Sequence, residues 1–141
     1  MPSKTVAIDF DGVIHAYTRG WADGTIYDPP VPGAFDAIRR LMDADFSVFV
    51  LSARDPHQIK LWIDQQAQDL VATVVPRHMH FWNYERILGI TDRKLPADIY
   101  VDDRALRFDN WTNSLANIFV RTGQEELFRD HCSNLGWVPP E

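Results

Sequence analysis

Two aspartates, Asp9 and Asp11, end the apolar run that begins at Val6 and form a closely spaced carboxylate pair. Residues i and i+2 of a strand share a face, so both side chains are expected to point the same way. Gly12 follows them and permits a sharp turn of the backbone. We therefore expect two carboxylates, suited to holding a hard cation, at the carboxyl edge of the first strand.

A second acidic pair, Asp102-Asp103, directly follows the apolar residues 99–101. Adjacent carboxylates at the end of a buried strand repel each other, and desolvation increases the cost. Mg²⁺ binds oxygen ligands and offsets clustered negative charge. Because ligands of α/β sheets bind at the carboxyl ends of strands, we expect the two acidic pairs to meet around one Mg²⁺. The alternative is an exposed turn with two solvated acids.

Ser52 and Lys94 are candidate phosphate ligands. Ser52 follows the apolar run 46–51, and its hydroxyl and the next amides are suited to binding a phosphoryl oxygen. Lys94 precedes the run that ends at Asp102, and its ammonium group is suited to neutralising phosphate charge. Taken alone, each has a simpler interpretation, which is a helix cap for Ser52 and a solvated loop cation for Lys94.

Histidines offer another metal-binding pattern. His78 and His80 have the spacing of two ligands on one strand face, and His15 is a third candidate. Zinc is disfavoured because no cysteine or acidic cluster is adjacent to the pair. We expect His78 and His80 to line the loop after the third strand instead.

Five apolar runs have the composition of strands, with helical segments between them. They are nearly continuous in apolar residues, as parallel strands covered on both faces should be. Strands that alternate with helices predict an α/β fold, a three-layer sandwich with a Rossmann-like parallel sheet of about five strands. The expected strands are 6–10, 46–51, 71–75, 99–101 and 118–120.

Three helices are expected from local patterns. An apolar stripe within residues 34–42 has helical spacing. Asp55-Pro56 predicts the N-cap and first residue of a second helix. Thr122, with Glu125 three residues later, predicts a capping box at the start of a third helix.

Residues 13–33 interrupt the alternation of strands and helices. Their glycines and prolines predict a flap loop or small hairpin that projects from the end of the first strand. The whole chain, 1–141, has the length and the 45% hydrophobic content of a single globular domain.

Composition also limits location and partners. No apolar run approaches the roughly 20 residues of a membrane span, and residues 1–30 lack the apolar core of a signal peptide. The single cysteine, Cys132, excludes an internal disulfide framework, so we expect a cytoplasmic protein. A net charge of −6 weakly disfavours non-specific binding to nucleic acid.

In chain order, the candidate site residues resemble the four motifs of the haloacid dehalogenase superfamily of phosphotransferases. The motifs are Asp9-Phe10-Asp11-Gly12-Val13, Ser52, Lys94 and Asp102-Asp103. The resemblance covers roughly residues 5 to 121. The insertions that form large cap domains in this superfamily do not fit between these motifs, so the chain is similar to a small, capless member.

The resemblance implies two-step phosphoryl transfer from a phosphomonoester. Asp9 would attack phosphorus and form an aspartyl-phosphate. Asp11, kept protonated by its carboxylate neighbours, would protonate the leaving oxygen and then deprotonate the attacking water. Ser52 and Lys94 would hold the phosphoryl oxygens. Arg54 would add to substrate binding.

The same resemblance implies how Mg²⁺ is held. Its ligands would be Asp9, the backbone carbonyl of Asp11, and Asp102, with Asp103 a direct or water-mediated partner. The substrate would be a small phosphoester or the phosphate terminus of a larger molecule such as a nucleic-acid end.

Two other classes of protein are alternatives. A signalling receiver domain also clusters acids, a hydroxyl and a lysine around Mg²⁺, but its phosphorylated aspartate ends a middle strand, whereas Asp9 ends the first. A non-catalytic interaction module on the same scaffold would have no reason to keep four mutually repelling acids.

Overall fold

The computed structural model describes residues 4–136, which contain five strands and four helices. The strands form one sheet in the order β3-β4-β2-β1-β5, and every neighbouring pair is parallel. In chain order the elements are β1 (Thr5–Asp9), α1 (Ala34–Asp43), β2 (Ser47–Leu51), α2 (Pro56–Gln66), β3 (Ala72–Val74), β4 (Leu88–Thr91), β5 (Ile99–Val101), α3 (Trp111–Arg121) and α4 (Glu125–Asn134). The expected α/β class with a five-stranded parallel sheet and no large cap is confirmed.

The strand register brings the expected site residues to one edge of the sheet. Asp9, the last residue of β1, pairs with Leu51, the last residue of β2. Ile8 pairs with Val101, so the acidic pair begins level with Asp9. Because all strands are parallel, the residues that follow each strand emerge at the same carboxyl edge.

Apolar side chains cover both faces of the inner strands of this sheet. The expectation that the strand before Asp102-Asp103 is buried is wrong, because all three residues of β5 and both acids are exposed. On one face, Ile38 of α1 and Ile59 and Ile63 of α2 are fully buried with residues of β1, β2 and β4. On the other face, Trp82 and Leu95 belong to a second buried cluster. A rigid, fully buried sheet centre therefore supports the strand ends that carry the polar residues.

The three expected helices are confirmed as α1, α2 and α4, and the first two form as their local patterns predict. The apolar stripe forms α1, with Phe35, Ile38 and Met42 buried. Helix α2 begins at Pro56, and the Asp55 carboxylate caps it by accepting a hydrogen bond from the backbone N–H of His57 at 2.9 Å.

The strand expected at 118–120 is wrong, because these residues lie within helix α3. The side chain of Asn110 caps this helix by accepting from the backbone N–H of Asn113. A short apolar run occurs both in strands and within helices, so its composition alone does not distinguish the two. Here the run belongs to the helix that Asn110 caps.

The fourth strand of the chain, β4, was missed because Gly89 interrupts its apolar pattern. The glycine has a packing reason. A Cβ at this position would overlap the indole ring of Trp82, which packs directly on the strand backbone. Packing of Trp82, from the loop just before β4, therefore explains why a glycine occupies this strand.

The capping box expected at Thr122 is also wrong. The Thr122 hydroxyl donates to the carbonyl of Ile118 at 2.7 Å, so it belongs to the last turn of α3. Helix α4 begins at Glu125 after Gln124, which makes no side-chain capping bond.

The chain divides into two compact units, one ending at Asp103 and the other beginning at Arg104. The first contains the sheet, α1 and α2. In the second, α3 and α4 pack through contacts such as that between the rings of Phe119 and His131. The single domain expected from the length stays a prediction. Within residues 4–136 there is no helix of the length and apolarity that crossing a membrane requires.

Candidate functional site

Three carboxylates converge at the carboxyl edge of the sheet. One oxygen from each of Asp9, Asp102 and Asp103 lies within 4.8 Å of the others. No other group of three or more histidine, cysteine or acidic side chains in residues 4–136 comes this close. The expectation that the two acidic pairs meet is therefore confirmed for Asp9 with Asp102 and Asp103. It is not confirmed for the side chain of Asp11.

The electrostatics of this acidic cluster are unfavourable in isolation. Burial, above all, raises the pKa of Asp9 from its ordinary value of 3.8 to about 6. The backbone N–H of Phe10 donates to Asp9 Oδ1 at 2.9 Å and opposes the rise, whereas the charges of Asp102 and Asp103 add to it. A hard divalent cation with oxygen ligands would relieve this repulsion, so the donor set fits one.

Gly12 is a structural requirement of the cluster. Its φ of +83° lies in the left-handed region, which side chains disfavour. A Cβ at this position would also overlap the carboxylate of Asp103. The glycine therefore allows both the turn after β1 and the close approach of the second acidic pair.

Ser52 opens into the same cleft as two of the acids. The cleft has a volume of about 240 Å³, and its lining includes Asp9, Ser52 and Asp102. Ser52 is fixed by its own backbone N–H, which donates to the carbonyl of Thr91 at 3.1 Å. Its Oγ accepts from the backbone N–H of Arg54 at 3.2 Å and keeps a hydroxyl proton to donate. Contact with a phosphoryl oxygen stays a prediction.

Lys94 lies next to Tyr100, an aromatic residue that lines the cleft. Its ammonium Nζ lies 5.0 Å from the centre of the Tyr100 ring, and Tyr100 lines the cleft. The Tyr100 hydroxyl donates to the carbonyl of Leu95 at 2.6 Å, which fixes the ring. No motif in the sequence pointed to Tyr100 or to Asp92, which also lines the cleft. The role of Lys94 toward phosphate stays a prediction.

The side chain of Asp11 does not belong to the acidic cluster. Strand β1 ends at Asp9, and the carbonyl of Phe10 already accepts the N–H groups of Ile14 and His15, so the chain has turned. The alternation of a strand no longer applies beyond that point, and the expectation that Asp9 and Asp11 point together is wrong. The expectation that carboxylate neighbours keep Asp11 protonated is also wrong, because the groups at its carboxylate are Arg54 and His15. The backbone-ligand and acid–base roles of Asp11 stay predictions.

Asp11 is instead held by a basic group and an imidazole. Arg54 Nε donates to the two carboxylate oxygens at 2.8 and 3.0 Å, and His15 Nδ1 lies 2.9 Å from Oδ1. The His15 Nε2 atom accepts from the backbone N–H of Asp28 at 3.0 Å. A neutral imidazole that accepts at Nε2 carries its proton on Nδ1, so His15 donates to Asp11.

His15 therefore has a role that the sequence did not reveal. It is completely buried and belongs to the network around Asp11, whereas His78 and His80 are exposed. The structure gives no support to a zinc site shared by these three histidines. The i, i+4 spacing of Asp11 and His15 was the only local signal of their contact.

Arg54 ties the site to the loop of residues 13–33. It is 3% exposed, and its Nη1 donates to the carbonyl of Gly24 at 2.7 Å. The guanidinium carbon lies 4.4 Å from the centre of the Trp21 ring. Two of the three guanidinium nitrogens thus donate hydrogen bonds within the protein, to Asp11 and to Gly24. The expected contact of Arg54 with substrate stays a prediction.

The base of this loop is closed by backbone hydrogen bonds. The N–H of Ala16 donates to the carbonyl of Pro29 at 3.1 Å, and that of Val31 to the carbonyl of Ile14 at 2.7 Å. The loop and Asp11 thus form one connected unit through Arg54 and His15.

The sequence matches no protein-family model and no curated protein. It is similar to a solved structure described as a conserved protein coded by a locus of Bacteroides thetaiotaomicron. The two are 23% identical, the likeness covers 88% of this chain and 92% of that one, and the TM-score is 0.48.

Proposed function

We propose that this protein is a Mg²⁺-dependent phosphohydrolase of the haloacid dehalogenase type, which cleaves phosphomonoesters through an aspartyl-phosphate on Asp9. The observation that carries the proposal is the convergence of Asp9, Asp102 and Asp103 beside Ser52 in one cleft. The four motifs that resemble this superfamily account for each of these residues.

The residues that would hold Mg²⁺ are Asp9, Asp102 and Asp103, together with the backbone carbonyl of Asp11. When bound, the cation would offset the charge of the acids and of the phosphoryl oxygens. The raised pKa of Asp9 supports this assignment, because a partly buried carboxylate beside two others is costly unless positive charge is nearby.

The first chemical step is the attack of a carboxylate oxygen of Asp9 on phosphorus. The new bond joins Asp9 to phosphorus, and the bond from phosphorus to the ester oxygen breaks. Asp11 enters this step in its protonated form, gives its proton to the leaving oxygen and is left as a carboxylate. Phe10 supports this step, because its N–H holds Oδ1 of Asp9 in place. Ser52 and Lys94 bind the phosphoryl oxygens as charge develops on them.

The second step releases phosphate. A water oxygen attacks the phosphorus of the aspartyl-phosphate, and its proton goes to Asp11. The bond between phosphorus and Asp9 breaks, which restores the carboxylate. Arg54 and His15 orient Asp11 for both proton transfers, since they contact its carboxylate directly.

A screen of phosphomonoesters tests this function. The panel includes 3′- and 5′-phosphorylated oligonucleotides, and phosphate release is measured with Mg²⁺ and with a chelator. We expect release that requires Mg²⁺ and that is abolished in Asp9→Asn. Asp130→Asn changes an exposed acid of α4 and is the matched control, which should retain activity. Substantial activity in Asp9→Asn would exclude Asp9 as the nucleophile.

A further inference from the structure

A second cleft adjoins the one that contains Asp9. It has a volume of about 530 Å³ and is formed by the residues that follow β2, β3 and β4. Ala53 and Asp92 line both clefts, so the two are neighbours along the carboxyl edge of the sheet. A ligand with one group at Asp9 would therefore extend into this second space, which we call the arginine cleft.

Basic side chains dominate the arginine cleft. His57, Arg77 and Arg93 line it in addition to Arg54, whose charge is paired with Asp11. Three arginines in one cleft are a local departure from the acidic balance of the chain, whose net charge is −6.

Two acids, Asp55 and Asp92, line the same cleft and offset part of its positive charge. Asp55 uses its carboxylate to cap helix α2. Asp92 forms an ion pair with Arg77, with 3.0 Å between Oδ2 and Nη2. Among the described residues no carboxylate forms an ion pair with Arg93. One guanidinium charge of the cleft therefore lacks a carboxylate partner.

The Arg93 guanidinium is held in place by uncharged groups. Its Nη2 donates to the carbonyls of Pro76 at 3.1 Å and Met79 at 3.0 Å. Its backbone N–H donates to the Thr91 hydroxyl at 3.1 Å. A guanidinium has five N–H donors in a rigid fork that matches the geometry of phosphate, and these bonds occupy only Nη2. The group is thus oriented without being saturated.

The remaining walls set the size and character of the ligand. Val74, Val75 and Pro76 supply apolar surface. The volume falls in the range of small-molecule sites, roughly 300–1,000 Å³. These features suit a small organic scaffold that carries an anionic group at the end remote from Asp9.

We propose that the arginine cleft binds the leaving group of the substrate through a second phosphate. This inference rests on the proposed function, since it names the class of phosphomonoester that the same site prefers. The phosphate to be cleaved lies at Asp9, and the retained phosphate lies at Arg93 with His57 and Arg77 nearby.

The test compares adenosine 3′,5′-bisphosphate with adenosine 3′-monophosphate and adenosine 5′-monophosphate. We expect kcat/KM for the bisphosphate to exceed that of either monophosphate by about tenfold or more. The reason is that charge-assisted hydrogen bonds to a second phosphate increase binding by about this factor. Arg93→Gln should reduce this ratio to near one. Arg86→Gln is the matched control, because Arg86 pairs with Asp43 and Asp45 outside the cleft, and it should preserve the ratio. Equal kcat/KM for all three compounds, or a preference unchanged in Arg93→Gln, would overturn the inference.

Calorimetry separates failure of the inference from failure of the proposed function. Binding of adenosine 3′,5′-bisphosphate is measured to Asp9→Asn and to Asp9→Asn combined with Arg93→Gln. We expect at least about tenfold weaker binding in the double variant. One outcome is that binding of the bisphosphate depends on Arg93 but the wild-type protein cleaves none of the compounds. Phosphate binding in the arginine cleft would then be supported, and the proposed phosphohydrolase activity would be wrong. The other outcome is that the monophosphates are cleaved and Arg93→Gln changes neither the rate nor the binding. The proposed phosphohydrolase activity would then be supported, and phosphate binding in the arginine cleft would be wrong.

Discussion

Arg54 donates through Nε to both carboxylate oxygens of Asp11, at 2.8 and 3.0 Å, while its Nη1 binds the carbonyl of Gly24. One buried guanidinium thus joins the proposed acid–base residue to the loop of residues 13–33. The contact fixes the direction of the Asp11 side chain, which the sequence pattern had assigned to the acidic cluster. Arg54 is therefore best described as a positioning residue.

Replacing Arg54 with lysine should impair turnover more than substrate binding. Lysine keeps the charge, but a single ammonium group does not reproduce the forked contacts with Asp11 and Gly24. We expect kcat to fall by about 10- to 100-fold in Arg54→Lys, which is part of the roughly 10²–10⁴-fold that acid–base help contributes, while KM changes little. Arg86→Lys is the control for the substitution type. Wild-type kcat in Arg54→Lys would show that the Asp11 contact has no catalytic consequence.

Asp9→Asn should stabilise the metal-free protein at neutral pH. The pKa of Asp9 is about 6 in the folded protein and 3.8 in the unfolded chain. Between these pH values the folded protein therefore binds more protons than the unfolded chain does. The Asp9 contribution to stability is therefore lost as pH rises through that window. Asparagine does not titrate, so the thermal midpoint of Asp9→Asn should exceed that of the wild type above pH 6.

The measurement is thermal unfolding in chelator across this pH range. The difference between Asp9→Asn and wild type should shrink toward pH 4. Asp130→Asn, at an exposed position of α4, is the control for the type of substitution. A lower midpoint for Asp9→Asn at neutral pH would contradict the assigned electrostatics.

Mg²⁺ should raise the thermal midpoint of the wild-type protein. A ligand that binds only the folded state stabilises it by about 2.7 kcal/mol at 100 times its dissociation constant. Asp102→Asn removes one proposed ligand, so we expect a smaller rise at the same Mg²⁺ concentration. The rise should persist in Asp130→Asn. An equal response in Asp102→Asn and wild type would place the cation elsewhere.

Two glycine substitutions separate backbone strain from damage to the acidic cluster. Gly12 and Gly33 have nearly equal φ values of +83° and +85°, but only a Cβ at Gly12 overlaps the Asp103 carboxylate. Both alanine variants should lose about 1 to 2 kcal/mol of stability through strain. Only Gly12→Ala should also lose the stabilisation by Mg²⁺ and the phosphatase activity. Equal Mg²⁺ responses in the two variants would mean that the approach of Asp103 is not needed.

The sequence predicted those parts of the site that depend on strand ends. The apolar runs before Asp9 and Asp102 identified β1 and β5, and parallel strands bring their carboxyl ends together. The position of Ser52 after β2 followed in the same way. These predictions succeeded because each needed only a local pattern and the general geometry of a parallel sheet.

The sequence did not predict features that depend on contacts between distant residues. The partnership of Asp11 with Arg54 joins positions 43 residues apart and begins where the strand has ended. The glycine in β4 reflects packing against Trp82, which is near in sequence but folds back from the preceding loop onto the strand, and this removed the apolar pattern by which the strand would have been recognised. The arginine cleft likewise combines side chains from three separate loops, so no single motif marks it.

Acid-quench trapping of the phosphorylated protein tests the central claim most directly. The protein is mixed with a phosphomonoester and Mg²⁺, quenched in acid at short times, digested, and analysed by peptide mass spectrometry. We predict a phosphoryl group on Asp9 that forms only with Mg²⁺, is absent in Asp9→Asn, and disappears within seconds as water releases phosphate. Phosphorylation of a different residue, or a phosphoaspartate that persists for minutes as in a receiver domain, would contradict the account.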